Sequence, residues 1–240
     1  MEILFKIFRF DPDADREPRF QEYRVPHRKG LTVLDALFWI QDRLDPSLCF
    51  RSACRAAVCG SCAMHIGGRY RLACETQADL KGQGPVVVRP LAHLPVVRDL
   101  IVDMAPFFGA YKLILPYLLT TEDPPQAGEI HQSQSDRGAL DEIIDCILCS
   151  SCYAACPMTG SDPEYLGPAA LLQANRFLLD SRDDAAAQRL ELVSDHHGIW
   201  RCHTAFNCSL ACPKHLDPAG SIAHLKRASA RDFLAKPFPK

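Results

Sequence analysis

Eleven of the chain's twelve cysteines fall into three spaced runs, and thiols spaced in this way suit the ligation of iron–sulfur clusters. In the first run, Cys54-x4-Cys59-x2-Cys62 is closed by Cys74 after eleven intervening residues, the plant-type spacing for a [2Fe–2S] cluster. The residues among these thiols are small (Ala56, Ala57, Gly60, Ser61), so the chain can wrap closely and turn its amides toward sulfur. Zinc is the alternative, but structural zinc sites favour two short Cys-x2-Cys pairs. Cys49 is a rival first ligand; a motif starting there needs a third cysteine at position 57, which is Ala57. We therefore read Cys49 as a thiol packed beside the loop.

The second run is Cys146-x2-Cys149-x2-Cys152-x3-Cys156-Pro157, the bacterial pattern whose fourth cysteine serves the other cluster of a pair. The third is Cys202-x5-Cys208-x3-Cys212-Pro213. Overlaying the two aligns Cys146 with Cys202, Cys152 with Cys208 and Cys156 with Cys212, and sets Ala205 opposite Cys149. Exchange of fourth ligands then gives a [4Fe–4S] cluster on Cys146, Cys149, Cys152 and Cys212. Cys156, Cys202 and Cys208 hold the other cluster, with no thiolate at the Ala205 corner. A cubane lacking one ligand tends to lose that iron and rest as [3Fe–4S]. Cys49 alone is left over.

Such loops need a scaffold. Residues 2–10 and 19–25 read as strands around a Pro- and Asp-rich turn. Residues 32–44 read as a helix capped by a threonine, with Leu34, Leu37, Phe38, Ile40 and Leu44 mostly on one face. The cysteine-rich loop follows, then a hairpin at Gly67-Gly68 and a strand at 86–89. Beyond this the pattern is helical, with helices expected near 95–120, 138–145, 168–180, 184–194 and 216–229. We expect an α+β chain of two domains, 1–105 and 106–240, with 106–137 as a connecting segment and 121–136 as its polar, Pro-rich part.

Composition excludes several alternatives. A net charge of −2 gives no basic excess for binding nucleic acid. The start, MEILFKIFRFD, lacks the apolar core of a signal peptide, so reduced, metal-binding thiols are expected over disulfides. The most apolar stretch, Ile101 to Leu119, is broken by Asp103, Pro106, Lys112 and Pro116, so no transmembrane helix is expected.

The motifs CRAAVCGSC, LACET, CILCSSCYAACP and RCHTAFNCSLACPKHLDP, in this order, closely resemble those of the iron–sulfur subunits of succinate dehydrogenase and fumarate reductase, respiratory complex II. The resemblance runs on through LPVVRDLIVDM and LGPAALLQANRFLLDSRD and so covers nearly the whole chain. It implies a plant-type ferredoxin β-grasp domain followed by an α-helical bacterial-ferredoxin-like domain. It also implies three partners: a flavoprotein carrying FAD, a membrane anchor that can hold haem b, and a quinone bound where this subunit meets the anchor. The expected role is electron relay in a membrane-bound succinate:quinone oxidoreductase, with the subunit peripheral on the cytoplasmic side of the inner (plasma) membrane. Alternatives are the quinol:fumarate reductase direction and service to another flavin-dependent oxidoreductase with a soluble acceptor.

For the quinone, the resemblance points to His203, which follows the first cysteine of the third run. A histidine that hydrogen-bonds locally or caps a helix is the plainer role. The family's tryptophan after the second Cys-Pro is missing; the segment here runs from Pro157 to Ser161, and Ser161 falls near that place. No paired catalytic carboxylates, Ser/His/Asp grouping or phosphate-cradling glycine loop is discernible, so the dicarboxylate is expected to bind elsewhere.

Overall fold

The structure is a computed structural model that describes residues 2–79, 84–121 and 128–235. The tip of the polar segment expected at 121–136 therefore lies partly outside the described residues. Two compact units emerge. The first comprises residues 1–105 together with 147–155 and 211–213; the second comprises 106–146, 156–210 and 214–240.

In the first unit, strands β1 (Glu2–Arg9) and β2 (Arg19–Pro26) pair antiparallel around the polar turn. Helix α1 (Val33–Arg43) starts at a capping box: Thr32 Oγ1 accepts from Asp35 N, and Asp35 Oδ2 accepts from Thr32 N. Strands β3 (Ala63–Ile66), β4 (Arg69–Leu72) and β5 (Val86–Arg89) complete a mixed sheet of order β2-β1-β5-β3-β4. β5 lies parallel to β1, and the others are antiparallel to their neighbours. Phe5, Ile7, Tyr23, Val25, Met64, Ile66, Val86 and Val88 bury one sheet face, and α1 buries Leu34, Leu37 and Ile40.

The single long helix expected at 95–120 does not form. Residues 96–98 (β6) and 101–102 (β7) make a small antiparallel ribbon, and α2 is confined to Ala105–Leu113. Two local facts explain this. Asp99 takes a left-handed turn (φ 47°) and is buried, where its carboxylate accepts from Arg9 Nε, Phe10 N and Cys49 N. Pro116 disfavours helix at Leu115, which is left-handed at φ 53°.

Helix α3 (Gln134–Gly138) belongs to the second unit; α4 (Ser151–Ala155) clusters with the first; α5 (Pro157–Ser161), α6 (Gly167–Leu179), α7 (Ala186–Val193), α8 (Asn207–Leu210) and α9 (Pro218–Ala235) complete the second. The helix expected at 138–145 is reduced to α3 and a 3-10 turn at Ile143–Asp145. Helix α6 is buried nearly all round and packs with α9 over Leu171, Ala174, Phe177, Ile222 and Leu225. Part of the expected connecting segment joins this core: Ile114 is fully buried. Arg189, itself 1% exposed, donates to the carbonyls of Ile114, Leu115 and Tyr117 and to the buried Asp183 carboxylate. A buried guanidinium is tolerable here because all its donors are engaged.

Candidate metal centres

Hairpin register brings the two ends of the first cysteine run together. Ala63 pairs with Leu72 across β3 and β4, so Cys62 and Cys74 leave the sheet at the same end, and Ala73 N donates to Cys62 O. The loop between Cys54 and Cys59 turns its amides on the thiols. Ala56 N, Val58 N and Cys59 N reach Cys54 Sγ at 3.4, 3.4 and 3.3 Å, and Ala57 N reaches Cys74 Sγ at 3.3 Å. Arg55 and Ala57 are both left-handed at φ 55°, a conformation that costs a side-chain-bearing residue about 1 kcal/mol or more. What that strain achieves is a concave array of N–H groups, the arrangement that receives anionic sulfur. A side-chain hydrogen bond from Ser61 lowers the Cys59 thiol to about 6, while burial raises that of Cys62. Cys54, Cys59, Cys62 and Cys74 are thiols, and the arrangement suits a small anionic cluster.

The second and third runs share one backbone course. A 3-10 turn at Ile143–Asp145 precedes Cys146, and another at Ile199–Arg201 precedes Cys202. Both cysteines are extended, with their N–H groups returning to Ile143 O and Ile199 O. Leu148 and Ser150 are left-handed (51° and 65°), as are their counterparts Thr204 and Phe206 (57° and 58°). A short helix follows each time, α4 and α8. Thr204 N points at Cys202 Sγ, 3.4 Å away.

Within the second unit a cavity of about 30 Å³ is walled by Cys156, Cys202 and Cys208, with Ala205, His203 and Pro157 also on its wall. Two of these thiols are raised, chiefly by burial: Cys156, and Cys208 to about 11. Cys149, Cys152 and Cys212 belong to the first unit, and Cys146 stands next to it in the chain. Cys156, Cys202 and Cys208 line a volume rather than meeting at a point. Among the described residues no three His, Cys, Asp or Glu side chains crowd together as around a single ion.

Two family models match, a 2Fe-2S iron-sulfur cluster binding domain over residues 4–109 and a 4Fe-4S dicluster domain over 142–216. The succinate dehydrogenase iron-sulfur subunit of Paracoccus denitrificans is 46% identical over 92% of this chain and 86% of that protein. The chain belongs to the succinate dehydrogenase/fumarate reductase iron–sulfur subunit family. The fumarate reductase iron-sulfur subunit of Haemophilus influenzae is 39% identical over 95% of this chain and 93% of its own length. A chain of the Mycobacterium smegmatis Sdh1 complex in the apo form superposes with a TM-score of 0.85 at 27% identity, covering 99% of both chains. As a member of this family the chain is a subunit of a succinate dehydrogenase or fumarate reductase and serves electron transfer there.

Of the residues expected near a quinone, His203 and Pro157 share one cavity wall and Ser161 does not line it. His203 is exposed beside the cavity, and no described residue hydrogen-bonds to it. Pro157 opens α5 and also lines the cavity. Ser161 stands at the end of α5, donating to Met158 O and accepting from Arg201. Sequence reasoning missed Lys226. From α9 its ammonium donates to Cys202 O at 2.8 Å and lies 5.8 Å from the Trp200 ring, which puts a positive charge beside a candidate ligand. No local pattern in the sequence hinted at it. Among the described residues no helix is long and apolar enough to cross a membrane.

Proposed function

We propose that this chain is the three-cluster electron relay of a membrane-bound succinate:quinone oxidoreductase, built from a ferredoxin β-grasp domain and a bacterial-ferredoxin-like helical domain. Cys54, Cys59, Cys62 and Cys74 would hold the [2Fe–2S] cluster. Cys146, Cys149, Cys152 and Cys212 would hold [4Fe–4S], and Cys156, Cys202 and Cys208 would hold [3Fe–4S]. The observation that carries the reading is the cavity whose wall joins Cys156 of the second run to Cys202 and Cys208 of the third, with Ala205 at the fourth corner. When bound, the clusters supply one-electron redox chemistry, which suits a relay between a two-electron flavin and a quinone.

The protein's own groups do the rest. Loop amides donate to the ligating sulfurs, which disperses thiolate charge and sets potential. Burial keeps water from Cys62 and Cys208. His203, exposed beside the cavity it shares with Pro157, would hydrogen-bond a quinone carbonyl, with Ser161 nearby through Arg201. The partners are then an FAD flavoprotein and an anchor, with or without haem b, that holds the subunit on the cytoplasmic face of the inner membrane. EPR of the purified complex should give three distinct cluster signals, and turnover assayed in both directions with ubiquinol-type and menaquinol-type substrates should favour succinate oxidation. A complex with only two cluster signals sinks the ligand assignment; faster fumarate reduction by menaquinol reverses the direction.

A further inference from the structure

Gly60 sits between Cys59 and Ser61 in the first cysteine run, with φ 72°. Its left-handed backbone is not what demands glycine, because Arg55 and Ala57 adopt φ 55° in the same loop with side chains attached. What distinguishes position 60 is its neighbour. A Cβ built there would stand 2.7 Å from Cys149 Cβ, 2.9 Å from Cys149 Cα and 3.1 Å from Ile147 O. Real Cβ atoms are essentially never found at the first two distances, and two of the three obstacles are backbone atoms that cannot swing aside. The contact lies wholly within the first unit, between the loop of one cysteine run and the first internal cysteine of the next.

We infer that Gly60 is a positioning residue that sets how closely the [2Fe–2S] loop approaches the [4Fe–4S] loop at Cys149. The inference rests on the ligand sets proposed above. Electron tunnelling weakens steeply with separation, so the missing side chain brings the two sites together where a relay gains most. It also makes a non-local demand: a methyl group added in one run must disturb the cluster held by the other.

The test is Gly60→Ala in the assembled complex, with Gly68→Ala as control. Gly68 is also left-handed (φ 85°), and a Cβ there meets nothing within 4 Å. EPR reads each cluster separately, and microwave-power saturation of the [2Fe–2S] signal reads its magnetic coupling to the reduced [4Fe–4S] cluster. Gly60→Ala should shift or broaden the [4Fe–4S] signal and make the [2Fe–2S] signal saturate at lower power, with the [3Fe–4S] signal unchanged. Loss of both the [2Fe–2S] and [4Fe–4S] signals with [3Fe–4S] retained supports the inference equally. Gly68→Ala should leave all three as in wild type. Unchanged [4Fe–4S] signal and saturation in Gly60→Ala overturn it, as does loss of [2Fe–2S] alone. Loss of all three signals overturns it too, since the glycine would then serve folding at large. Absence of the [2Fe–2S] or [4Fe–4S] signal from wild type would instead sink the ligand reading beneath it.

Discussion

Residues 143–157 and 199–213 follow the same course, yet they differ in one cysteine and in surroundings. Ile143, Cys146, Leu148 and Ser150 correspond in conformation to Ile199, Cys202, Thr204 and Phe206. In the second run the middle is inside: Ser150 and Ser151 are 1% and 0% exposed. In the third, residues 203–207 are exposed throughout, Phe206 by 53%. Two left-handed backbone positions are kept in common, so the shared loop is built to aim amides at sulfur. The difference is economical: Cys149 becomes Ala205, and a half-buried loop becomes a surface one. If the proposed ligand sets hold, the exposed loop of the three-thiol site suits exchange with an outside partner, whereas the half-buried loop of the four-thiol site suits relay alone.

The most damaging way to break this comparison is to remove the cysteine that each run is proposed to lend. Cys212→Ser should abolish the [4Fe–4S] signal although Cys212 lies in the third run, and Cys156→Ser should abolish the [3Fe–4S] signal although Cys156 lies in the second. Serine is a hard oxygen ligand and a poor replacement for a soft thiolate. EPR of each variant decides the matter. The reverse pattern of losses would mean that each run serves its own cluster.

A less destructive change should make the two runs alike. Thr204 and Phe206 already hold the left-handed angles of Leu148 and Ser150, so the backbone around Ala205 needs no rebuilding to accept a cysteine. Ala205→Cys should convert the site toward [4Fe–4S], remove the oxidised [3Fe–4S] signal and lower the potential, because another thiolate adds negative charge. The [2Fe–2S] and other [4Fe–4S] signals should stay. Full retention of the [3Fe–4S] signal would contradict the correspondence of Ala205 with Cys149.

The exposure of the third run is probed at His203. His203→Ala should slow quinone turnover roughly tenfold, the worth of one hydrogen bond to a reacting carbonyl. Succinate oxidation by a dye that takes electrons upstream should be spared. Equal loss in both assays would point to damaged cluster assembly.

Much of this was legible in the residues because thiol spacing and helix caps are local signals. Thr32 marked the start of α1, and Gly67-Gly68 marked the hairpin that draws Cys62 toward Cys74. What stayed hidden depends on distant partners. The ribbon at 96–102 forms because Asp99 is claimed by Arg9, ninety positions away, and periodicity alone could not foretell that. The seat of residues 114–117 involves Arg189, and residues 147–155 group with the first unit where Gly60 closely approaches Cys149 and Ile147. Lys226 reaches Cys202 across an interhelix contact that leaves no pattern in sequence.

The smallest expected effect falls on the thiol outside all three runs. Cys49 lies five residues before Cys54, so a shifted ligand choice in the first run would recruit it and spoil the contrast between four-thiol and three-thiol sites. Position 49 is held by its backbone: its N–H donates to Asp99 Oδ2 at 2.9 Å, and its carbonyl accepts from Leu100 N at 3.2 Å. The side chain makes only a weak contact, Sγ to Ser47 O at 3.4 Å. The loop amides that reach sulfur go instead to Cys54, Cys59 and Cys74. Cys49→Ser keeps both backbone bonds and offers a hydroxyl to Ser47 O in place of the thiol. We expect all three cluster signals at wild-type intensity and a change in stability within about 0.5 kcal/mol. A lost or altered [2Fe–2S] signal in that variant would move the first ligand from Cys54 to Cys49 and leave the strained turn at Arg55 and Ala57 without a purpose.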